Sequence, residues 1–163
     1  MDKATLDRII SKYKDPSGRV LGILEDIQQK DRYLSKDVLE YVAKSIGVPF
    51  AQLYSIATFY SFFNLKPVGE HLISVCMGTA CHVKGAPEIL KNLEYLLGVN
   101  EGGVTEDGKF MLTTHDGQFS LSTARCFGCC SMAPVIRVDE KIYGYVSVGE
   151  LPKILKKYGW KGK

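Results

Sequence analysis

The run His71-Leu72-Ile73-Ser74-Val75-Cys76-Met77-Gly78-Thr79-Ala80-Cys81-His82 sets the architecture of this chain. Its first five residues have the apolar, β-branched character of a short strand. That strand delivers Cys76, and Cys81 follows after four residues as a C-x4-C. A second group, Arg125-Cys126-Phe127-Gly128-Cys129-Cys130, runs on into Met132-Ala133-Pro134. It follows another extended stretch, Phe119-Ser120-Leu121-Ser122-Thr123-Ala124. All five cysteines lie in these two places. Soft sulfur donors that arrive in two groups, each at the end of an apolar run, point to a metal site built from two loops.

Around these loops the chain alternates strand and helix patterns. Pro87 to Leu97 carries Ile89, Leu90, Leu93, Leu96 and Leu97 at helical spacing, and Gly98 closes it. Gly102-Gly103-Val104-Thr105 opens a further segment. Phe110-Met111-Leu112-Thr113-Thr114 and the stretch ending at Ala124 read as strands around the turn His115-Asp116-Gly117. Val135-Ile136-Arg137-Val138 and Ile142-Tyr143-Gly144-Tyr145-Val146 alternate as half-buried strands do, with Asp139-Glu140 as the hairpin turn. Leu151, Ile154, Leu155 and Tyr158 give a closing helix. The order β–α–(β)–β–β–β–α resembles a thioredoxin-like sheet with helices packed against it.

Upstream, Lys66-Pro67-Val68-Gly69-Glu70 is punctuated by Pro and Gly where the pattern changes. It divides a helical region, residues 1–66, from the α/β region, residues 70–163. In the helical region Leu6, Ile9 and Ile10, then Val20, Leu21, Ile23, Leu24 and Ile27, recur at three- and four-residue intervals, with a break at Asp15-Pro16-Ser17-Gly18. Ser35 is the expected N-cap of a third helix with Val38, Leu39, Val42, Ala43 and Ile46 on one face, and Gly47 ends it. Pro49 suits the first turn of a fourth helix through Phe50, Leu53, Tyr54, Ile56 and Ala57. The aromatic segment Thr58-Phe59-Tyr60-Ser61-Phe62-Phe63 is expected to pack between this region and the next. The competing reading is a surface that meets a partner. The fold class is therefore α+β: an N-terminal helical bundle followed by a thioredoxin-like α/β domain.

Composition excludes several classes. A hydrophobic fraction of 45% suits a folded protein and argues against global disorder. The net charge of +3 is slight, and its cations form no basic stripe with interleaved aromatics, so nucleic acid is not an expected partner. No apolar run approaches the roughly 20 residues that span a bilayer, so direct membrane insertion is not expected. The N-terminus lacks the apolar core of a signal peptide. The expected location is the reducing cytoplasm, where structural disulfides are rare.

Cys76 and Cys81, with Cys126 and Cys130 as a C-x3-C, supply the four thiolates of a [2Fe-2S] cluster, two for each iron. Gly78 and Gly128 lie inside the loops, where glycine lets the backbone turn tightly and point N–H groups at sulfur. Other readings compete. Four cysteines also make a structural zinc site, though zinc knuckles are usually tighter. Cys126 and Cys129 form a C-x-x-C, a thiol–disulfide redox motif in an α/β domain, but that leaves Cys76 and Cys81 without a role. Haem attachment needs C-x-x-C-H, which the first loop does not have. His82 invites comparison with a Rieske centre, but the second loop has no matching histidine. Cys129 is adjacent to Cys130 and is read as a nonligand.

The two motifs, Cys76-x-Gly78-Thr79-x-Cys81-His82 and Cys126-x-Gly128-x-Cys130 with Ala133-Pro134, resemble those of the thioredoxin-like [2Fe-2S] ferredoxin family. More closely, the chain resembles the small iron–sulfur subunit of NADH:quinone oxidoreductase (complex I). The same subunit type occurs in NAD(P)-linked electron-bifurcating hydrogenases and NAD-dependent formate dehydrogenases. Pro49 and Ala57-Thr58-Phe59-Tyr60 extend the resemblance into the helical region. It implies one [2Fe-2S] cluster on Cys76, Cys81, Cys126 and Cys130. It implies an electron-transfer subunit that exchanges single electrons with the FMN of a partner flavoprotein. FMN, the NAD(P) site and a [4Fe-4S] cluster are then expected on that partner only, and this chain carries no G-x-G-x-x-G turn or P-loop. Further iron–sulfur, hydrogenase or dehydrogenase subunits are implied, with the assembly in the cytoplasm or peripheral to a membrane complex.

Overall fold

The computed structural model describes residues 1–15, 18–99 and 111–162. Pro16 and Ser17 of the predicted break, the segment from Gly102 to Thr105, Phe110 and Lys163 lie outside the described residues. The chain divides into two units, Met1–Pro67 and Val68–Lys163.

Four helices make the first unit: α1 (Lys3–Lys12), α2 (Arg19–Asp31), α3 (Lys36–Ile46) and α4 (Phe50–Phe59). The starts of α1 and α3 follow the chemistry of orphan N–H groups. Asp2 accepts the Thr5 N–H at 3.2 Å and the Thr5 hydroxyl at 2.7 Å. Ser35 accepts the Val38 N–H at 3.3 Å, and Gly47, left-handed at φ 72°, ends α3. Pro49 is the residue before α4 rather than a member of its first turn. Leu6, Ile9, Ile23, Leu24, Ile27, Leu39, Val42 and Leu53 join one buried core. Each such side chain stabilises the fold by about 1.5–3 kcal/mol.

Within the aromatic segment only Phe63 joins that core. Phe59 is 80% exposed and Phe62 54% exposed. Phe63 thus packs within the first unit's own core, and Phe59 and Phe62 stand outside it. The reason is local: α4 ends at Phe59, and Tyr60 adopts an extended conformation. Helical spacing is lost there, and only Phe63 turns back inward.

Among the described residues the second unit has five strands: β1 (His71–Cys76), β2 (Met111–Thr113), β3 (Phe119–Ala124), β4 (Ile136–Val138) and β5 (Lys141–Tyr143). They form one sheet in the order β2-β3-β1-β4-β5. β1 and β3 run parallel, and every other neighbouring pair is antiparallel. Helices α5 (Thr79–Val83) and α6 (Ala86–Leu97) lie between β1 and β2 in sequence, and α7 (Leu151–Lys156) closes the chain. Ile73, Val75, Phe119, Leu121, Ile136 and Val138 share a core with Ile89 and Leu93 of α6 and Leu151, Ile154 and Leu155 of α7. The alternate positions carry polar groups, including Ser74, whose hydroxyl lies 2.7 Å from that of Ser122.

Two elements depart from the sequence pattern. The first cysteine loop contains a helix, α5, where only a bend was expected. The last strand stops at Tyr143 although alternation continues to Val146. Tyr145 has φ 54°, and the N–H groups of Tyr145 and Val146 bond to Met132 and Pro134 carbonyls instead of a strand ladder.

Candidate metal centre

Strand pairing explains how two distant cysteine groups meet. β1 and β3 are parallel and in register, with Cys76 opposite Ala124. Their C-terminal ends therefore leave the sheet side by side, and Cys126 follows two residues after Ala124. Met77 donates its N–H to the Ala124 carbonyl at 2.7 Å, and Cys76 donates to the Val135 carbonyl at 3.1 Å. The end of β1 is thus clamped between the second cysteine loop and the segment after Pro134. α5 then folds back and returns Cys81 to the same place. Cys76 and Cys81 are buried, and Cys126 and Cys130 are exposed.

Gly78 is where the loops touch. A Cβ there would lie 2.6 Å from the Arg125 carbonyl oxygen and 3.4 Å from the Cys126 Cβ. Gly128 has a different reason to be glycine: its φ is 78°. That turn brings the Gly128 N–H to 3.3 Å from the Cys126 sulfur.

The sulfurs act on one another. The Cys76 thiol lies among those of Cys81 and Cys126 and beside the backbone N–H groups of Gly78 and Phe127. Burial pushes Cys76 up, but those N–H groups and neighbouring thiols outweigh it, and its pKa falls below the ordinary thiol value. Burial, then the hydrogen bond with Cys76, raises Cys81, against an opposing N–H from Val135. Cys130 is raised chiefly by its contact with Cys126. On balance Cys76 is moved toward thiolate, and Cys81 and Cys130 toward the neutral thiol.

Two sulfurs on one tetrahedral metal, with bonds of about 2.3 Å, stand about 3.8 Å apart. The sulfurs of Cys126 and Cys130 are 3.8 Å apart. Among the described residues no group of three or more His, Cys, Asp or Glu side chains is placed to hold a single metal ion. The thiol donors, the converging N–H groups and the missing Cβ at Gly78 all fit a [2Fe-2S] group.

Cys129 is turned away from the pair. Its sulfur approaches the Phe127 carbonyl at 3.7 Å, and the side chain packs against the hydrophobic core. The structure brings Cys126 to Cys130 rather than to Cys129, as a C-x-x-C dithiol would require. His82 is exposed on α5. The N–H donors of Phe127 and Val135 were not singled out from sequence, because backbone donors carry no residue-type signal.

The sequence profile of the thioredoxin-like [2Fe-2S] ferredoxins matches residues 6–114 and 112–159. The chain belongs to the thioredoxin-like [2Fe-2S] ferredoxin family. Among its relatives this ferredoxin is 39% identical over 151 residues to the NADP-reducing hydrogenase subunit HndA of Solidesulfovibrio fructosivorans, covering 93% of this chain and 83% of that protein. It is 36% identical over 155 residues to a subunit of the NADH-quinone oxidoreductase of Rickettsia conorii, covering 93% and 87%. The crystal structure of an NAD+-reducing [NiFe]-hydrogenase in the air-oxidized state has the same fold over 84% of this ferredoxin, with a TM-score of 0.66 and 18% identity. The ferredoxin spans 22% of that hydrogenase chain.

Proposed function

We propose that Cys76, Cys81, Cys126 and Cys130 hold one [2Fe-2S] cluster, and that the chain is the electron-transfer subunit of an NAD(P)H-linked oxidoreductase complex. The single observation that carries this reading is the convergence of the two cysteine groups at the adjacent ends of β1 and β3. When bound, the cluster takes up and returns one electron at a time. The chain's own contribution is position and field. The N–H groups of Gly78, Phe127, Val135 and Gly128 oppose the negative charge on the sulfurs. Buried Cys76 and Cys81 form the sheltered side, and exposed Cys126 and Cys130 form the side open to a redox partner.

Under this reading the chain does not catalyse alone. Its partner is a flavoprotein subunit that carries FMN, the NAD(P)H site and a [4Fe-4S] cluster, with further iron–sulfur, hydrogenase or dehydrogenase subunits beyond it. The relatives named as subunits of an NADP-reducing hydrogenase and of an NADH-quinone oxidoreductase support this. The exposed Phe59, Tyr60 and Phe62 suit contact with the flavoprotein. Among the described residues no helix is long and apolar enough to cross a membrane.

Anaerobic purification of the native assembly through a tag on this chain tests the proposal. A flavin-bearing subunit should copurify, and NAD(P)H should bleach the visible absorbance of the cluster. Recovery of the chain alone, with a chromophore indifferent to NAD(P)H and the flavoprotein fraction together, would refute it.

A further inference from the structure

The second cysteine loop rests against a cation. Arg137 stands in β4 between the buried Ile136 and Val138, so its side chain leaves on the opposite face of the sheet. Its neighbour across the ladder is Ser74 of β1. Cys76 is two residues further along β1 and therefore on that same face. The Arg137 guanidinium carbon lies 5.4 Å from the centre of the Phe127 ring, a cation–π contact. Phe127 is the residue after Cys126 in the second cysteine loop. Arg137 Nε is buried and has no hydrogen-bond partner among the described residues. The ion pairs among the described residues involve other side chains, so no carboxylate among them neutralises this charge.

We propose that Arg137 is a positioning residue for the cluster, with two separable effects. Its flat guanidinium holds Phe127, and through it the second cysteine loop. Its unneutralised charge raises the affinity of the site for the added electron. The inference rests on the proposed assignment of the cluster to the four cysteines. Reduction adds one electron and one negative charge to the thiolate-bound site, and a fixed cation on the same sheet face favours that charged state.

The test is an anaerobic redox titration of the cluster-loaded full chain, read by absorbance and EPR, with cluster release to a chelator timed in parallel. Arg137→Gln should bind the electron about tenfold more weakly, a downward shift of about 59 mV for a one-electron couple. Arg137→Lys keeps the charge and loses the planar stack. It should stay within about twofold of the parent in electron affinity yet release the cluster faster. If Arg137→Gln does not retain the cluster, Phe127→Leu replaces it and should shift the potential in the same direction by less. A parental potential in Arg137→Gln, or in Phe127→Leu where the Gln variant does not hold the cluster, would overturn the proposal. So would an equal shift in the Gln and Lys variants. Failure of the parent chain to hold a two-iron cluster would instead overturn the cluster assignment, and it is seen before any variant is compared.

Discussion

Gly78 has an ordinary extended conformation, with φ −61° and ψ 156°, so its lack of a side chain is a matter of space. The Arg125 carbonyl occupies the place of its Cβ at 2.6 Å. Backbone atoms cannot swing aside as a flexible side chain can. Gly78→Ala should therefore push the loops apart, destabilise the chain by about 1–3 kcal/mol and speed cluster release. Thermal unfolding and chelator kinetics at parental values would contradict this. The adjacent cysteines separate just as sharply. Cys130→Ala should lose the iron, and Cys129→Ala should keep it, as measured by iron content after identical loading. The importance of Gly78 and Gly128 was visible as glycines inside cysteine loops, but their different reasons were not. Only Gly128 needs its positive φ, and the close approach at Gly78 depends on a loop some fifty residues away in the chain.

At the scale of elements, local signals marked most starts and stops. Ser35, Gly47 and Gly98 act on their own helices, so caps and periodicity were enough to place α3 and α6. Long-range bonds were not legible. β5 ends early because its continuation bonds to Met132 and Pro134, and α5 is too short for periodicity to show. Gln28 is another case: a polar residue in the core, it donates to the Arg32 carbonyl at 2.8 Å and accepts the Asn64 N–H at 3.2 Å. Gln28→Ala should cost about 1–3 kcal/mol by leaving the part-buried Asn64 N–H without its acceptor, while the Arg32 carbonyl keeps the Asn64 side-chain amide at 3.2 Å; urea unfolding is the measure, with the cluster spectrum unchanged. The packing of α7 gives a pH prediction. Burial, and then the Tyr143 hydroxyl 3.0 Å away, push the Tyr158 pKa up to about 12. The folded state thus favours the neutral phenol. Its contribution is complete below the unfolded value of about 10 and is lost as pH rises through the folded value. The urea midpoint should fall over that alkaline window, and Tyr158→Phe should flatten the fall. An unchanged slope in the variant would contradict the assignment.

For the whole molecule, the α+β order could be read because two periodicities succeed one another along the chain. The meeting of the two cysteine groups could be suspected from their chemistry, but the parallel pairing that produces it is a property of the sheet. The exposed aromatics were the least legible, since aromatic residues signal both cores and interfaces. Replacing Phe59 and Phe62 together by Ser should change stability by less than about 0.5 kcal/mol, as for exposed sites generally, while weakening recovery of the flavoprotein partner. The account of the site rests on four cysteines sharing two irons. Quantifying iron, zinc and acid-labile sulfide on the anaerobically purified chain, with EPR after reduction, tests that most directly. The account predicts two irons and two sulfides per chain and one rhombic signal. One zinc per chain with no labile sulfide would contradict it.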